Sequence, residues 1–411
     1  MGSNYLIGEF CSFAKGASIP RDRMFDCGPW KYLHYGDLYK GHNLYIDIEK
    51  PTKAIPFISD DERIKSDQFV SDGDIIYVLT SETIDDLGKA LMVKGGEGEE
   101  IVAGTETTVM RIENCDVANP AYINYMLQTD LFKRKLRQYV TGMKVFRVHP
   151  RDIAKIEVNL PDIDTQNKVV HILDAIYEKC SNINRLNDYL AELLDALFTK
   201  ALEDADGWEE ATLLDIANYK NGLAMQKFRP EGNDPGLPVL KIKELGQGSC
   251  GSDAERCRSD IDESVRIYDG DLVFSWSGTL LLDFWTGGDA GLNQHLFKVT
   301  SEKYPSWFVY MWTKYHMRKF IALAKDRATT MGHIKRSALA EAEVLIPPAD
   351  VLGKLTEQMQ TVVDQMIGLK VEARKLGELR DALLPKLMSG EIDVSKVDLT
   401  PLNNHLAEHC F

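Results

Sequence analysis

The sequence predicts an α+β fold: two globular α/β units separated by two long helices that pair with each other inside one chain. Three observations predict it. Val169, Ile176, Ile183, Leu190 and Leu197 fall seven residues apart, as do Leu355, Val362, Leu369, Leu376 and Leu383. The second set is the first displaced by 186 residues, without a gap. The globular stretches repeat as well, Asp72-Gly73-Asp74-Ile75-Ile76 returning as Asp269-Gly270-Asp271-Leu272-Val273. An apolar stripe of this length needs a partner, and two matched stripes cover one another most economically as a coiled coil. Antiparallel pairing then implies a pseudo-twofold relation between the globular units. The competing arrangement is two separate hairpins, each helix packed on its own unit; the length and match of the heptads favour pairing.

In chain order, residues 1–160 read as the first α/β unit. Trp30–Tyr35, Ile75–Leu79, Thr107–Ile112 and Ile156–Leu160 are strand-like runs punctuated by glycine turns. Pro120 opens a helix expected to reach about Tyr139. Residues 161–206 hold the first long helix, with Asp164 as its expected N-cap and Gly207 as its stop. About 38 residues at about 1.5 Å each make it about 57 Å long. Leu173, Cys180, Leu186, Leu193 and Leu194 are expected to widen its seam. Residues 207–346 repeat the first unit with insertions. There Ala290-Gly291 is matched to Ala103-Gly104, and Pro305 to Pro120. Residues 347–399 hold the second long helix, with Pro385 in its last turn, and residues 400–411 are a polar tail.

The net charge of −15 argues against a uniformly nucleic-acid-binding surface. Its distribution leaves room for local basic faces. Residues 1–160 carry 20 basic and 24 acidic side chains, and residues 207–346 carry 17 and 19, so most of the acidic excess lies on the helical segments and tail. Seven scattered cysteines in no common metal spacing read as reduced thiols in a cytoplasmic protein. No metal site is expected, a terminal contact by His405, His409 and Cys410 being less favoured than a frayed end. No secretory signal and no membrane-spanning apolar run of about 18 residues is read. A glycine-rich phosphate loop of motor type is missing, as is an Asn-Pro-Pro-Tyr segment for a flipped adenine, so no catalytic residue is expected.

The stretch Leu379-Arg380-Asp381-Ala382-Leu383-Leu384-Pro385-Lys386-Leu387-Met388-Ser389-Gly390-Glu391-Ile392-Asp393 resembles the distal conserved region of the specificity subunits of type I restriction–modification systems. Asp271-Leu272-Val273-Phe274-Ser275-Trp276-Ser277-Gly278-Thr279 and Leu292-Asn293-Gln294-His295-Leu296 are similar to that family's second target-recognition domain. The first unit departs from this version with Thr80-Ser81-Glu82-Thr83 and Gly88-Lys89-Ala90. The resemblance implies two target-recognition domains, each reading one half of a bipartite, asymmetric site on double-stranded DNA, joined by central and distal conserved helices. It also implies two modification methyltransferase subunits and motor–nuclease restriction subunits as partners. S-adenosylmethionine and ATP are then bound by the partners, and this chain needs no cofactor. The rival reading is a non-DNA coiled-coil scaffold with two protein-binding heads.

The DNA-binding candidates are Lys15 and Ser18 in the Gly16 loop, Ser81 and Thr83 after the first Asp-Gly-Asp strand, and Lys144 and Arg147 in the Gly142 loop. Their counterparts are Lys220 and Gln226 in the Gly222 loop, Ser275 and Ser277 after the second Asp-Gly-Asp strand, and Thr330, His333 and Lys335. Basic groups would position phosphates, and hydroxyls or amides would reach base edges. The basic run Lys133–Arg137 reads equally well as a solvated helix face, and His295 as either a DNA contact or a satisfied core histidine.

Overall fold

The structure, a computed structural model, describes residues 2–39, 41–84, 86–326 and 333–398. It divides into two compact units, Met1–Ile176 with Arg380–Phe411, and Tyr177–Leu379.

In the first unit Cys11–Lys15, Thr107–Ile112, Ile75–Val78, Ala90–Lys94 and Tyr45–Asp47 form a five-stranded sheet in that order. Ile75–Val78 is buried at all four positions, as an apolar run covered on both faces should be. A four-stranded sheet runs Phe57–Ile58, Trp30–Leu33, Ile101–Ala103, Phe69–Val70. The start of the chain, Ser3–Leu6, pairs antiparallel with Glu157–Leu160. The single helix expected from Pro120 to about Tyr139 is two helices, Pro120–Gln128 and Asp130–Arg137. Thr129 breaks them: its ψ is 146°, and its Oγ1 accepts from Phe132 N at 3.2 Å as an N-cap.

The second unit repeats this plan. Asn218–Asn221, Leu296–Thr300, Leu272–Ser275 and Leu282–Phe284 form one sheet, and Arg256–Cys257, Leu237–Leu240, Ala290–Leu292 and Arg266–Ile267 the other. Glu209–Thr212 pairs with Glu343–Ile346 as the terminal strands of the first unit do. The Asp-Gly-Asp turns are built alike. Asp72 Oδ1 accepts from Gly95 N at 2.7 Å, and Asp269 Oδ1 accepts from Gly288 N at 2.7 Å. Between the acids, Gly73 and Gly270 take φ +86° and +93°, a region that favours glycine.

The central helix is Ile163–Glu203 and the distal helix Ala349–Ser389. Asp162, not Asp164, caps the central helix: its Oδ1 accepts from Thr165 N at 2.8 Å, a bond that holds its carboxyl below the usual range. Pro385 stays inside the distal helix, and Gly390 at φ +72° ends it. The helices pack together antiparallel within the second unit. Lys179 Nζ lies 3.4 Å from Glu372 Oε1, and Cys180 Sγ donates to Ala373 O at 3.8 Å. Further along, Leu194 and Phe198 of the central helix share a core with Met359 and Val363, which precede Glu372.

Val169, Leu173, Ile176, Ile183 and Leu194 of the central helix are buried, and Leu190 and Leu197 half-buried. Leu186 and Leu193, expected in the seam, are 40% and 46% exposed. Each precedes by one residue the position that faces inward, Asn187 or Leu194, and one residue turns a helix by about 100°. On the distal helix Leu355, Val362, Leu369, Leu376 and Leu383 are half-buried. The deepest positions there are Met359, Val363, Met366 and Leu387. The first three of these belong to the core of the second unit, so the helix turns its face toward that core as well as toward its partner.

Asn187 is 7% exposed, and neither Nδ2 nor Oδ1 has a hydrogen-bond partner among the described residues. A buried, unsatisfied polar group costs about 1–3 kcal/mol. Asn187→Leu is therefore expected to raise stability by about that amount, read as a higher denaturant midpoint at unchanged slope. A lower midpoint would show that the amide is satisfied in solution.

Candidate nucleic-acid interface

One set of backbone hydrogen bonds, repeated in each unit, fixes which residues correspond. Gly16 N donates to Thr107 O at 3.1 Å and Ala17 N to Ala103 O at 2.7 Å; Gly222 N donates to Leu296 O at 3.0 Å and Leu223 N to Leu292 O at 2.9 Å. Leu79 N donates to Glu106 O, and Val148 N to Leu79 O, both at 3.0 Å. Trp276 N donates to His295 O at 3.4 Å, and Ile334 N to Trp276 O at 3.0 Å. Gly16 therefore corresponds to Gly222, Glu106 to His295, Leu79 to Trp276, and Arg147 to His333. The two glycines are required by close approach: a Cβ would lie 1.9 Å from Gly104 O in one unit and 2.2 Å from Leu292 O in the other.

At this end of the first sheet three segments converge. Thr80–Ser81 pairs antiparallel with Phe146–Arg147, Arg147 opposite Thr80. The turn Gly104-Thr105-Glu106 lies beside them, and Ser18 Oγ is 3.0 Å from Thr105 Oγ1. Lys15, Ser18, Thr83, Lys144 and Arg147 are exposed, and Ser81 is half-buried. The loop carrying Lys144 is closed by reciprocal bonds between Thr141 and Arg147, 2.9 and 2.8 Å. Ser81 Oγ accepts from Thr83 N at 3.1 Å, and Thr83 Oγ1 donates to Asp86, so both hydroxyls also shape their own loop. Tyr39 OH donates to Thr80 O at 3.2 Å from beneath, and burial pushes this phenol above its ordinary value.

The second unit brings Ser277 opposite His333 in the same way. Ser277 Oγ lies 3.0 Å from His295 Nδ1, and His295 Nε2 lies 3.3 Å from Gln294 Nε2. Trp276 sits among them, its ring centroid 6.0 Å from that of His295 and 6.1 Å from that of His333. Gln294, His333 and Lys335 are exposed.

Ser275 does not face this surface. It is fully buried, and its Oγ donates to Ser277 O at 3.1 Å and Thr279 O at 2.8 Å, closing the turn after the strand. Ser277 itself is 6% exposed. Lys220 is one residue off the position of Lys15, which Asn221 occupies. Successive strand residues alternate faces, and Lys220 donates to Ser264 Oγ instead. Gln226 is exposed on the short turn Met225–Lys227, two residues beyond the position of Ser18. Thr330 lies outside the described residues, as do His405, His409 and Cys410.

The basic run Lys133–Arg137 lies elsewhere in the first unit. Lys135 Nζ donates to Glu157 O at 2.7 Å, and Arg134 and Lys135 line a cavity of about 920 Å³ with Asp381, Pro385 and Lys386 of the distal helix. Matching by the dipeptide Ala-Gly was also out of register: Ala103 corresponds to Leu292, so Ala290-Gly291 lies inside a strand. Thr105, Glu106 and Gln294 were missed for the same reason. Among the described residues there is no group of three or more His, Cys, Asp or Glu side chains placed to hold a metal, and no helix long and apolar enough to cross a membrane.

Residues 205–373 match the family described as type I restriction modification DNA specificity domain. The chain is 22% identical over 309 residues to the type I restriction enzyme MjaIX specificity subunit of Methanocaldococcus jannaschii, covering 67% of this chain and 70% of that one. It is 22% identical over 212 residues to the type I restriction enzyme EcoBI specificity subunit of Escherichia coli, covering 50% of this chain and 44% of that one. The fold is similar to that of the S subunit of a type I restriction–modification system from M. genitalium, with a TM-score of 0.58 at 14% identity, covering 94% of this chain and 95% of that one. Residues 205–373 thus carry a type I restriction modification DNA specificity domain, and the fold over nearly the whole chain is similar to that of a type I restriction–modification S subunit.

Proposed function

We propose that the chain is the sequence-reading subunit of a type I restriction–modification complex and has no chemistry of its own. Each globular unit reads one half of a bipartite, asymmetric site in double-stranded DNA. The paired helices set the interval between the halves and dock two modification methyltransferase subunits; motor–nuclease subunits join for cleavage. S-adenosylmethionine and ATP are handled by those partners. The domains that carry this division are residues 1–160 and 207–346, with helices at 161–206 and 347–399.

One observation carries the reading. Both units hold a loop with exposed basic side chains against the same end of the same ladder, with different side chains at equivalent positions. A duplicated scaffold with divergent loop chemistry suits two readers of different sequences. Phosphate contacts would come from Lys15, Lys144 and Lys335.

The test is a gel shift on duplex DNA, using the chain with its modification subunits across a salt series. Neutralising about six phosphates predicts an affinity loss of about a thousandfold between about 50 and 200 mM salt. Binding that is absent, or indifferent to salt, would sink this reading and favour a scaffold with two protein-binding heads.

A further inference from the structure

We infer that base choice in each half-site is set at two matched turns, by Glu106 with Arg147 in the first unit and by Gln294 in the second, the two units accepting different base pairs there. The inference rests on the DNA-reading function proposed above and names the side chains that discriminate.

The backbone bonds described above place Thr80 with Ser277, Thr105 with Gln294, Glu106 with His295, and Arg147 with His333. At the last three of these the frame is constant while the chemistry changes. Around them it does not: Gly16 and Gly222 make the same close approach, and the Asp-Gly-Asp turns bond alike. A structural role would be expected to hold the side chains constant along with the backbone.

The geometry of each turn points outward. Glu106 is exposed and, among the described residues, is the non-glycine residue with positive φ, +57°. Such a conformation is uncommon outside glycine and costs free energy that the surrounding structure must offset. An acidic side chain on a surface meant for DNA is repelled by phosphates, so its presence there suits a base edge. Glutamate accepts from cytosine N4, and arginine pairs bidentately with guanine O6 and N7. Glu106 and Arg147, on segments that both hydrogen-bond to Leu79, therefore fit the two partners of one G·C pair.

In the second unit Gln294 stands at the tip of a turn in which Leu296 N donates to Asn293 O at 3.0 Å. Its carboxamide is exposed and steadied from one side by His295, which Ser277 holds in turn. A glutamine presented this way pairs bidentately with adenine N6 and N7 in the major groove. His295 is a positioning residue; Gln294 is the discriminating one, and the pair it takes is A·T.

The test uses the full chain with its modification subunits, selecting bound duplexes from a randomised library and sequencing them. Gln294→Thr, which installs the residue of the first unit, and Gln294→Ala are each expected to cut discrimination at one A·T position of one half-site by about tenfold. The other half-site should stay intact, and it serves as the folding control in the same molecule. Glu106→Gln should relax one G·C position in the opposite half-site only. Unchanged preferences at every position, or uniformly weaker binding with the same preferences, would overturn the inference. Should the unsubstituted complex select no bipartite site at all, the DNA-reading function itself fails, an outcome separate from both.

Discussion

Trp307→Ala is expected to lower the stability of the second unit by about 3–5 kcal/mol, the range for removing a large aromatic side chain from a packed core. Trp307 is 1% exposed and lies in a core that also holds Leu194 and Phe198 of the central helix and Met359, Val363 and Met366 of the distal helix. It does more than fill space. Its Nε1 donates to Thr356 Oγ1 at 3.1 Å, and its backbone N donates to Gln360 Oε1 at 3.3 Å. Ser306 Oγ donates to the same Gln360 oxygen at 3.2 Å, so the distal helix caps the start of the helix Ser306–Asp326. Alanine keeps the backbone bond but leaves a cavity and removes the indole donor from Thr356, whose hydroxyl still donates to Leu352 O at 2.7 Å. Denaturant unfolding of the full chain, followed by calorimetry, should show a transition moved down while another keeps its midpoint. A loss below about 1 kcal/mol would mean that the site collapses around the smaller side chain.

The paired helices and the duplication were legible because they are written in local order. Heptad spacing is a property of nearby residues, and Asp-Gly-Asp turns use residues whose backbone demands are local. What escaped the sequence is register. Ladder correspondence is fixed by bonds such as Gly222 N to Leu296 O, between residues far apart in the chain. Matching by the dipeptide Ala-Gly therefore paired Ala103 with Ala290 instead of Leu292, and matching the Gly16 and Gly222 loops, correct in itself, did not reveal that Asn221 and not Lys220 takes the place of Lys15. Each slip exchanges the faces or the ends of a strand. Ser275 shows the same limit at a single hydroxyl. A serine after an exposed-looking strand reads as a surface donor, yet its partners are the carbonyls of Ser277 and Thr279. Leu186 and Leu193 misled because leucine content was read without the three-and-four-residue steps that place Asn187 and Leu194 inward.

The second Asp of each Asp-Gly-Asp turn supplies a matched pair of perturbations, with the larger loss expected in the first unit. Asp74 accepts from Arg111 Nε at 3.0 Å and Nη2 at 2.8 Å, and from Ser71 N at 3.0 Å, with its side chain 7% exposed. Arg111 also donates to Phe69 O at 3.0 Å, tying the turn to the strand before it. Asp271 accepts from Lys298 Nζ at 2.8 Å and from Tyr268 N at 2.8 Å, with its side chain 24% exposed. The cation thus comes from a different position on the neighbouring strand and offers a single contact in place of a fork. Removing one partner of a fully buried pair costs about 3–5 kcal/mol, because the remaining charge is left unpaired. Arg111 is 34% exposed and recovers some hydration, so Asp74→Ala is expected to cost about 2–4 kcal/mol. Asp271→Ala should cost about 1–2 kcal/mol, since its partners are fewer and the site is wetter. Asp74→Asn keeps an acceptor for Ser71 N but loses the charge, and should fall between Asp74→Ala and the unsubstituted chain. The order is read from denaturant midpoints of the two units in the full chain. Equal losses at Asp74 and Asp271 would show that the fork adds nothing beyond a single ion pair, and that the turn is held by its backbone bonds alone.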